Sequence, residues 1–292
     1  MTIFRPAQET DLAQMYEVFY QNEIIDILNP PPHGDMSDLL HTLRTGTVYV
    51  AEQDTAILAF AGAITRGEVT FLTDLFVRPD LQSTQLGKTL LPYVLPQSGL
   101  IHCTMSSTDP RALALYIRAG MHPAWPHFFL RLEGPIRADF STPGVEIVAI
   151  DGDDLALVDW DAQLSGRLRP QDHAHWIATQ QAVPLWFQRR GQTVGYGYVR
   201  LGAGTLWYPE SCTIGPIGVN ALEDVTECVL AAVNWTLKHA NVLHISIPGP
   251  HPSLAILLTK GFRIVYVETF LSTASIPFFD ARRYISSSSN LL

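Results

Sequence analysis

Apolar and polar residues alternate along this chain with two different periods. Runs rich in Val, Ile, Thr and Tyr alternate every second residue, as strands do, and other segments carry apolar residues at helical spacing. In the N-terminal part the pattern predicts strands at 47–53, 57–65, 69–78, 100–106 and 126–133, and helices near 10–21, 36–43, 84–95 and 110–118. Because strands precede and separate the helices, the pattern indicates an α/β fold with a mixed sheet, of the α+β type.

The chain repeats this pattern once. The segments DPRALALYIRAGMHPAWPHFFLRLEG around Gly120 and HPSLAILLTKGFRIVYVETFLSTA around Gly261 each predict a capped helix, a glycine stop and strands. The two glycines are 261 − 120 = 141 residues apart, which indicates an internal repeat. The second copy is predicted to have strands at 184–189, 194–200, 205–218, 242–247 and 263–272, and helices near 153–162, 171–180, 221–239 and 252–259.

The repeat and the punctuation between its copies predict the domain organisation. We predict domains at 1–133 and 145–274, a Gly- and Pro-containing linker at 134–144 and a tail at 275–292. Within the tail, the aromatic residues Phe278, Phe279 and Tyr284 are too apolar for a free end and are expected to dock on the body of the protein. The last segment, SSSSNLL, is expected to be frayed.

Composition and charge exclude several classes of protein. A chain of 292 residues with 47% hydrophobic and 16% charged residues can bury two cores. The net charge of −9, with no basic run, argues against nucleic acid as a partner. The chain has no signal-peptide or membrane-span pattern, and its three cysteines have neither disulfide-framework nor metal-site spacing. We expect a cytoplasmic protein with no membrane partner and no metal.

The segment LFVRPDLQSTQLGKTLL, residues 75–91, leads from a predicted strand through a polar turn into a helix. Such a turn exposes backbone N–H groups at the positive end of the helix dipole and suits a phosphate, although similar joints occur in most α/β proteins. The segment resembles the acetyl-CoA-binding signature of the GNAT superfamily of N-acetyltransferases, in which Gln82 matches the first turn position and Gly87 the last. Gln85 replaces the middle glycine, so its backbone must adopt a conformation that an L-residue tolerates.

A second resemblance to the same superfamily lies downstream. The segment DPRALALYIRAGMHP, residues 109–123, is similar to the GNAT helix that carries a tyrosine, with Asp109 as N-cap, Ala112 on the core face, Tyr116 and the stop at Gly120. A tyrosine at this spacing is also a common packing residue. The resemblance covers residues 3–133 well and 145–274 in outline, so we expect two tandem GNAT-like domains.

The resemblance implies a reaction in the first domain. Acetyl-CoA binds along the strand end, the turn and the helix, an amine attacks the thioester directly, and Tyr116 protonates the leaving thiolate. The implied cofactor contacts are Leu75, Phe76, Val77, Gln82, Ser83, Thr84, Gln85, Leu86, Gly87, Lys88, Asp109, Ala112 and Tyr116. Asp74 is the candidate base, but it lies on the opposite strand face from Thr73, which stands where many relatives have a glutamate. A water-relayed base is the alternative.

The acceptor is expected to be a small molecule with a primary amine, and the sequence leaves its identity open. By the resemblance, the acceptor binds near the first helices, where MYEVFYQNEIIDILNPPPHGD offers Tyr16, Tyr20 and Asp35 to line a pocket. Tyrosines at helical spacing are also typical half-buried packing residues. The protein is expected to act as a monomer or a homodimer.

The second copy lacks the chemical positions of the first. The 141-residue offset maps Gln82 to Glu223, Gly87 to Cys228 and Tyr116 to Leu257. The acidic residues at the start of the corresponding helix satisfy its dipole and repel an anion. We therefore expect one acetyl-CoA site per chain and a degenerate second domain that supports the first.

Two other interpretations compete with an N-acetyltransferase. A catalytically inert tandem GNAT-fold protein with a binding or regulatory role is favoured by Gln85 and Thr73 and opposed by Tyr116. Transfer of a different acyl group, such as an aminoacyl group, is disfavoured because most of the acetyl-CoA turn is present.

Overall fold

A computed structural model describes residues 1–95, 99–136, 138–150, 154–288 and 291–292. The first copy consists of β1 (Ile3–Pro6), α1 (Leu12–Glu23), α2 (Ser37–Thr45), β2 (Thr47–Gln53), β3 (Ala56–Arg66), β4 (Val69–Val77), α3 (Leu86–Val94), β5 (Ile101–Ser106), α4 (Pro110–Arg118) and β6 (His122–Leu132). These bounds agree with the predicted elements to within a few residues. Residue 137 of the predicted linker, residue 153 of a predicted helix and residues 289–290 of the tail lie outside the described ranges.

The second copy repeats the first copy in the same order. It consists of β7 (Glu146–Ala149), α5 (Leu155–Ser165), α6 (Pro170–Gln180), β8 (Ala182–Arg189), β9 (Gln192–Arg200), β10 (Cys212–Val219), α7 (Val225–Thr236), β11 (Leu243–Pro248), α8 (Ser253–Thr259) and β12 (Arg263–Ser272). A short strand, β13 (Tyr284–Ile285), follows in the tail. The predicted strand at 205–218 begins only at Cys212, because Thr205 and Tyr208 close a turn with reciprocal backbone hydrogen bonds of 3.1 and 3.0 Å.

The fold is α/β, and all strands of the described ranges belong to one mixed β-sheet. The order across the sheet is β1-β2-β3-β4-β5-β12-β6-β11-β10-β9-β8-β7, and β13 pairs with β10. Counted inward from the two edges, equivalent strands of the two copies hold equivalent positions. β1 corresponds to β7, β2 to β8, β3 to β9, β4 to β10, β5 to β11 and β12 to β6. In the first half, α3 and α4 pack on one face of the sheet around Leu90 and Tyr116, and α1 packs on the other face around Met15 and Phe60.

The two copies exchange their last strands. β6 pairs antiparallel with β11 of the second copy, and β12 pairs antiparallel with β5 of the first copy. β6 and β12 also pair with each other at the centre of the sheet. The predicted boundary at residue 133 separates the two sequence units, but the last strand of each unit completes the sheet of the other unit.

Buried ion pairs join the two halves beside the sheet. Asp172 on α6 accepts hydrogen bonds from Arg66 on β3 at 2.6 and 3.0 Å and lies 2.7 Å from Nε2 of His41 on α2. The Arg66 guanidinium and the His41 imidazole hold the pKa of the Asp172 carboxyl well below its usual range, against the opposing effect of burial. Removal of one partner of such a pair is strongly destabilising, because the other charge stays buried. This cluster therefore fixes the second half against the first.

The tail is docked, as its aromatic residues predicted, but the prediction that its last segment is frayed is wrong. Tyr284 is fully buried and Phe279 is 6% exposed. Leu291 and Leu292 are also fully buried. Arg169, which pairs with the buried carboxylate of Asp161, donates to the main-chain oxygens of Leu291 and Leu292 at 3.2 and 2.5 Å. The serine-rich composition suggested an exposed end, but the two leucines and the buried guanidinium supply apolar and polar partners that order it.

Replacing Leu291 and Leu292 together by serine is expected to lower the melting temperature by about 10 °C. Loss of two buried leucines costs about 2 kcal/mol each, and 1 kcal/mol corresponds to about 2–4 °C in a chain of this size. Thermal denaturation by circular dichroism measures the change. Arg282→Ala is the control, because it breaks only an exposed ion pair with Asp280 and should change little. Equal melting temperatures for the double variant and the parent protein would contradict the docking of these leucines.

Among the helices of the described ranges, none has the length and apolar composition needed to cross a bilayer.

Candidate functional site

The parallel strands β4 and β5 separate at one end of the sheet. They pair from Val69 with Ile101 to Leu72 with Thr104, and β4 then continues to Val77 without β5 beside it. A bulge in the pairing of β3 with β4 at Thr73 coincides with the separation. The end of β4 from Thr73 to Val77 is called the splayed end below. It offers a backbone edge to which an extended ligand can hydrogen-bond.

The turn after β4 has the backbone shape of a phosphate-binding loop. Ser83 and Gln85 have left-handed φ angles of 66° and 71°, which non-glycine residues seldom adopt. Gln85 therefore keeps the conformation of the glycine that the sequence comparison found missing. Left-handed residues cost about 1–3 kcal/mol each and persist where the surroundings fix them, often at ligand sites. Gln85 thus supplies, without a glycine, a left-handed residue at the start of α3.

The first turn of α3 leaves its N–H groups available. Gln85 is the N-cap and makes no side-chain cap, and the first intrahelical bond runs from Thr89 N to Gln85 O at 3.0 Å. The N–H groups of Leu86, Gly87 and Lys88 precede that bond and have no carbonyl partner within the helix. These donors lie at the positive end of the helix dipole, so the turn favours an anion.

Gly87 stands where α3 passes the splayed end. A Cβ at this position would lie 3.6 Å from Cγ2 of Val77 and 3.7 Å from Cδ2 of Leu75, which are ordinary contact distances. The packing of the chain itself therefore accepts an alanine here. The absence of a side chain instead leaves the N–H groups of the turn open to a ligand that lies along β4.

The helix α4 brings Tyr116 to the same face of the sheet. Asp109 caps α4 as predicted, since its carboxylate accepts a 2.8 Å hydrogen bond from Arg111 N. Ala112 and Tyr116 face the core that also contains Leu75 and Val77, and Tyr116 is only 6% exposed. Burial raises the pKa of the Tyr116 phenol, and the carboxylates of Asp74 and Glu268 raise it further. The phenol therefore keeps its proton at neutral pH and serves as a donor.

Asp74 lies on the face of β4 opposite to Leu75 and Val77, but the prediction that it faces away from Thr73 is wrong, because the bulge at Thr73 brings both side chains to the same place beside Gly62. Phe76 on that face packs edge-on against Phe19 of α1, with a centroid distance of 5.2 Å. The Asp74 carboxyl lies beside Gly62 of the paired strand β3, where an added Cβ would be 3.2 Å from Oδ2. Burial raises the pKa of Asp74 to about 6. A carboxyl with this pKa is ionised at neutral pH and is more basic than an ordinary aspartate, so it suits a proton acceptor.

Glu268 is a candidate site residue that the sequence analysis missed. It lies on the exchanged strand β12, one residue beyond the pairing of Thr269 with Ser106 that ends β5. Its Oε2 atom is buried without a hydrogen-bond partner in the described ranges. Burial, and to a lesser extent the negative charge of Glu23, raise its pKa to about 8. In the sequence, Glu268 is the one acidic residue of the largely apolar strand RIVYVETFLS. It was not recognised as a site residue because this strand was assigned to the second copy.

The raised pKa of Glu268 couples stability to pH. The unfolded chain loses this proton near the ordinary pKa of 4.5, whereas the folded protein retains it until about pH 8. Between these values the folded state binds more protons than the unfolded state, so the contribution of Glu268 to stability is present below pH 4.5 and is lost as the pH rises toward 8.

Glu268→Gln removes this titration, so the variant should gain a few degrees in melting temperature relative to the parent protein between pH 5 and pH 8. Melting curves at the two pH values measure the gain. Glu223→Gln, a change at an exposed residue of the second half, is the matched control and should show no such gain. A difference in melting temperature between Glu268→Gln and the parent protein that is the same at pH 5 and pH 8 would contradict the raised pKa.

Two of the predicted acceptor residues lie on α1 and contact the segment that joins α1 to α2, and the third lies within that segment. Tyr16 and Tyr20 are buried on α1, and their hydroxyl groups bond to backbone atoms of this segment, at Gly34 N (2.7 Å) and Pro31 O (2.5 Å). Asp35 is exposed and bonds to Ser37. The tyrosines shape the segment beside the site, and the role of all three residues in acceptor binding stays a prediction.

The side chains of the turn divide between structural contacts and solvent. Gln82 donates from Nε2 to Asn22 Oδ1 at 2.8 Å, and Asn22 donates to the Val77 carbonyl at 3.0 Å. These two bonds tie the turn to α1 and to the splayed end. Thr84 bonds back to Leu81 O, and the exposed residues of the turn are Ser83, Thr84, Gln85 and Lys88. Their assignment as cofactor contacts stays a prediction.

Comparison with known proteins connects this geometry to a family. Residues 44–121, from α2 through α4, match the model of the acetyltransferase (GNAT) domain. Nearly the whole chain also superimposes on solved structures, one of which is a tandem GNAT protein. The chain has a tandem GNAT fold. None of the curated proteins matches it by sequence.

Three solved structures illustrate the extent of the similarity. A Pyrococcus horikoshii protein classed as an acetyltransferase superimposes with a TM-score of 0.76 at 15% identity, over 99% of this chain and 95% of that one. A tandem GNAT protein from the clavulanic acid biosynthesis pathway gives a TM-score of 0.66 at 15% identity, over 94% and 100%. A GCN5-related N-acetyltransferase from Sphaerobacter thermophilus gives 0.63 at 13% identity, over 93% and 95%. At these identities the similarity is one of fold.

The second GNAT half has its splayed end filled by the tail. β10 pairs with β11 only from Cys212 to Ile214, and beyond that point β13 lies along β10 through Ile217 and Gly218. The chain itself therefore occupies the edge that β4 leaves free in the first GNAT half. The strand β13 was not predicted, because a two-residue strand has no periodicity to detect.

The acidic residues at the start of α7 in the second GNAT half are paired with an arginine of the same half. Asp224 lies 2.7 Å from Nε of Arg189, and Glu227 accepts a 2.5 Å hydrogen bond from the same guanidinium. Cys228 and Leu257, at the positions equivalent to Gly87 and Tyr116, are fully buried in the core. The residues of the described ranges contain no group of three or more His, Cys, Asp or Glu side chains that could hold a metal ion.

Proposed function

We propose that the protein is an acetyl-CoA-dependent N-acetyltransferase that transfers the acetyl group to the primary amine of a small acceptor. The observation that carries the proposal is the left-handed turn at Gln85, which begins α3 beside the splayed end of β4, since Gly87 in the first turn of α3 lies next to Leu75 and Val77. An N-terminal helix end next to an unpaired strand edge suits a ligand that has a phosphate group and an extended amide arm.

The residues of the first half fit acetyl-CoA in order along the chain. The N–H groups from Leu86 to Lys88 hold the pyrophosphate, and the backbone of Leu75–Val77 binds the pantetheine arm as a further strand would. The reactive end of the bound cofactor would then be near Tyr116, Asp74 and Glu268, since the charges of both carboxyl groups act on the Tyr116 phenol in the fold. The bound cofactor supplies an acyl thioester whose carbonyl carbon accepts the amine.

The side chains around that end move the protons. The acceptor amine reacts as the neutral base, so Asp74 or a water molecule held by it takes the proton that the amine loses. Tyr116 gives its proton to the leaving sulfur, which becomes the thiol of CoA. The raised pKa of Tyr116 keeps the phenol protonated until this step. These groups argue against an inert binding protein, which has no need of a buried phenol whose pKa is raised by two nearby carboxyl groups.

The cellular setting belongs to the same proposal. Cys103, Cys212 and Cys228 are free and buried, as thiols of proteins in reducing compartments commonly are. A location in the cytoplasm, where acetyl-CoA is present, fits this cysteine usage. The absence of a basic surface run fits a small-molecule acceptor better than a nucleic acid.

Calorimetric titration with acetyl-CoA tests the proposal directly. We expect one site per chain, because β13 fills the equivalent edge in the second half. Release of CoA in the presence of a panel of primary amines then measures transfer. Two sites per chain would contradict the assignment of a single cofactor site, and an absence of binding would contradict the proposed function.

A further inference from the structure

One carboxyl group near Tyr116 has no partner in the fold. Glu268 lies on β12 at the end of β5, and its Oε2 atom is enclosed by protein with no hydrogen-bond donor within reach in the described ranges. A buried polar atom without a partner costs about 1–3 kcal/mol, so such an atom calls for an explanation. A ligand that donates to Oε2 would supply the missing partner.

Glu23 extends the same negative region. It lies at the end of α1, bonds to Trp207 of the second half, and is close enough to Glu268 for their charges to interact. Asp74 and Glu268 both act electrostatically on Tyr116. Within the described ranges, no Lys, Arg or His forms an ion pair with Glu23, Asp74 or Glu268. By contrast, Glu9, Asp11 and Glu52 of the first half each pair with an arginine. The region therefore contains carboxyl groups that no cation of the described residues balances, and a bound ammonium group would favour their ionised forms.

Two exposed aromatic residues border this region. Trp207 is 40% exposed and comes from the loop before β10, and Tyr266 is 46% exposed and lies on β12, two residues from Glu268. Tyr266 and Glu268 point to the same face of β12, because they are two residues apart on one strand. Partial burial, and then the charges of Glu268 and Glu23, raise the pKa of Tyr266 to about 12. Large aromatic side chains left in solvent are typical of a surface that binds an apolar group.

We propose that the acceptor is a cationic amine without a carboxylate, with its ammonium group at Glu268 and Glu23 and an apolar body against Trp207 and Tyr266. The inference rests on the proposed function and assigns the acceptor class to that site. The second half then supplies most of the acceptor site, namely Glu268, Tyr266 and Trp207, and the first half supplies Glu23 and the cofactor site. Amino acids are excluded because their α-carboxylate would face three unbalanced carboxyl groups.

The comparison of tyramine with tyrosine tests the acceptor class, because the two molecules differ only in the carboxylate. We expect kcat/KM for CoA release to be at least 100-fold higher with tyramine. Glu268→Gln should lower kcat/KM for tyramine at least tenfold, mainly through KM, and should weaken tyramine binding measured by calorimetry in the presence of CoA. Glu133→Gln, on the surface beside Arg131, is the matched control and should leave both values unchanged.

Each outcome separates this inference from the proposed function. Turnover that is equal for tyramine and tyrosine would overturn the acceptor class and leave the acetyltransferase intact. Tyramine binding that is unchanged in Glu268→Gln would also overturn it. An absence of acetyl-CoA binding would overturn the proposed function and this inference with it. Trp207→Ala provides a second variant away from the core, and it should raise KM for tyramine more than for propylamine.

Discussion

Gly87→Glu is expected to abolish acetyl-CoA binding in a calorimetric titration. The new side chain would place both bulk and negative charge at the first turn of α3. We propose that the N–H groups of this turn bind the pyrophosphate. Like charges in contact repel strongly where protein excludes water, and the helix dipole would be satisfied by the new carboxylate instead of the ligand. Loss of the cofactor also stops CoA release with every amine.

Two control variants accompany this experiment. Gly87→Ala should fold as the parent protein does, because its methyl group would meet Leu75 and Val77 at ordinary contact distances of 3.6–3.8 Å. Leu222→Glu puts a charge at an exposed residue before α7 in the second half and should leave binding unchanged. Leu222 is chosen because Cys228, the equivalent of Gly87, is fully buried and cannot accept a charge. Acetyl-CoA binding of normal affinity by Gly87→Glu would remove the cofactor from this turn.

Tyr116→Phe is expected to lower kcat by about 10²–10⁴-fold, the usual size of a general-acid contribution. The substitution removes one oxygen and keeps the ring, so the packing against Leu75 and Val77 is preserved. The affinity for acetyl-CoA should therefore change little. Steady-state kinetics with an accepted amine, together with calorimetry, separate the two effects.

The pattern of losses decides the role of Tyr116. Loss of rate with intact cofactor affinity and melting temperature identifies a proton donor. An unchanged rate would make Tyr116 a packing residue, and a parallel loss of affinity and melting temperature would indicate a structural defect instead.

Periodicity in the sequence predicted the local elements well because each is determined by nearby residues. The helix α4 illustrates this, since its cap at Asp109, its apolar face and its stop at Gly120 are all encoded within about a dozen residues. The turn at Gln85 was predicted from its match to a known signature, and the left-handed backbone at that residue follows the same path.

Local periodicity could not predict which strands pair at the centre of the sheet. β6 and β12 are equivalent in sequence position, with 263 − 122 = 141 residues between their starts, and each has two edges that can pair with β5 or with β11. Local periodicity says which residues face a core but not which strand lies alongside. For this reason Glu268 was assigned to the degenerate copy, although the exchanged strand brings it to the first half, near Tyr116.

The exchange of β6 and β12 also sets the order in which the protein can be completed during synthesis. Thr269 pairs with Ser106, so an edge of β5 waits for a strand that is made 269 − 106 = 163 residues later. At about 5–20 residues per second, the ribosome needs roughly 10–30 s to supply it. Through that interval the first half has an open strand edge next to its cofactor cleft, a site where a second nascent chain can add its own strand. Rapid synthesis of residues 133–272 thus protects the protein from pairing with a neighbour on the same messenger RNA.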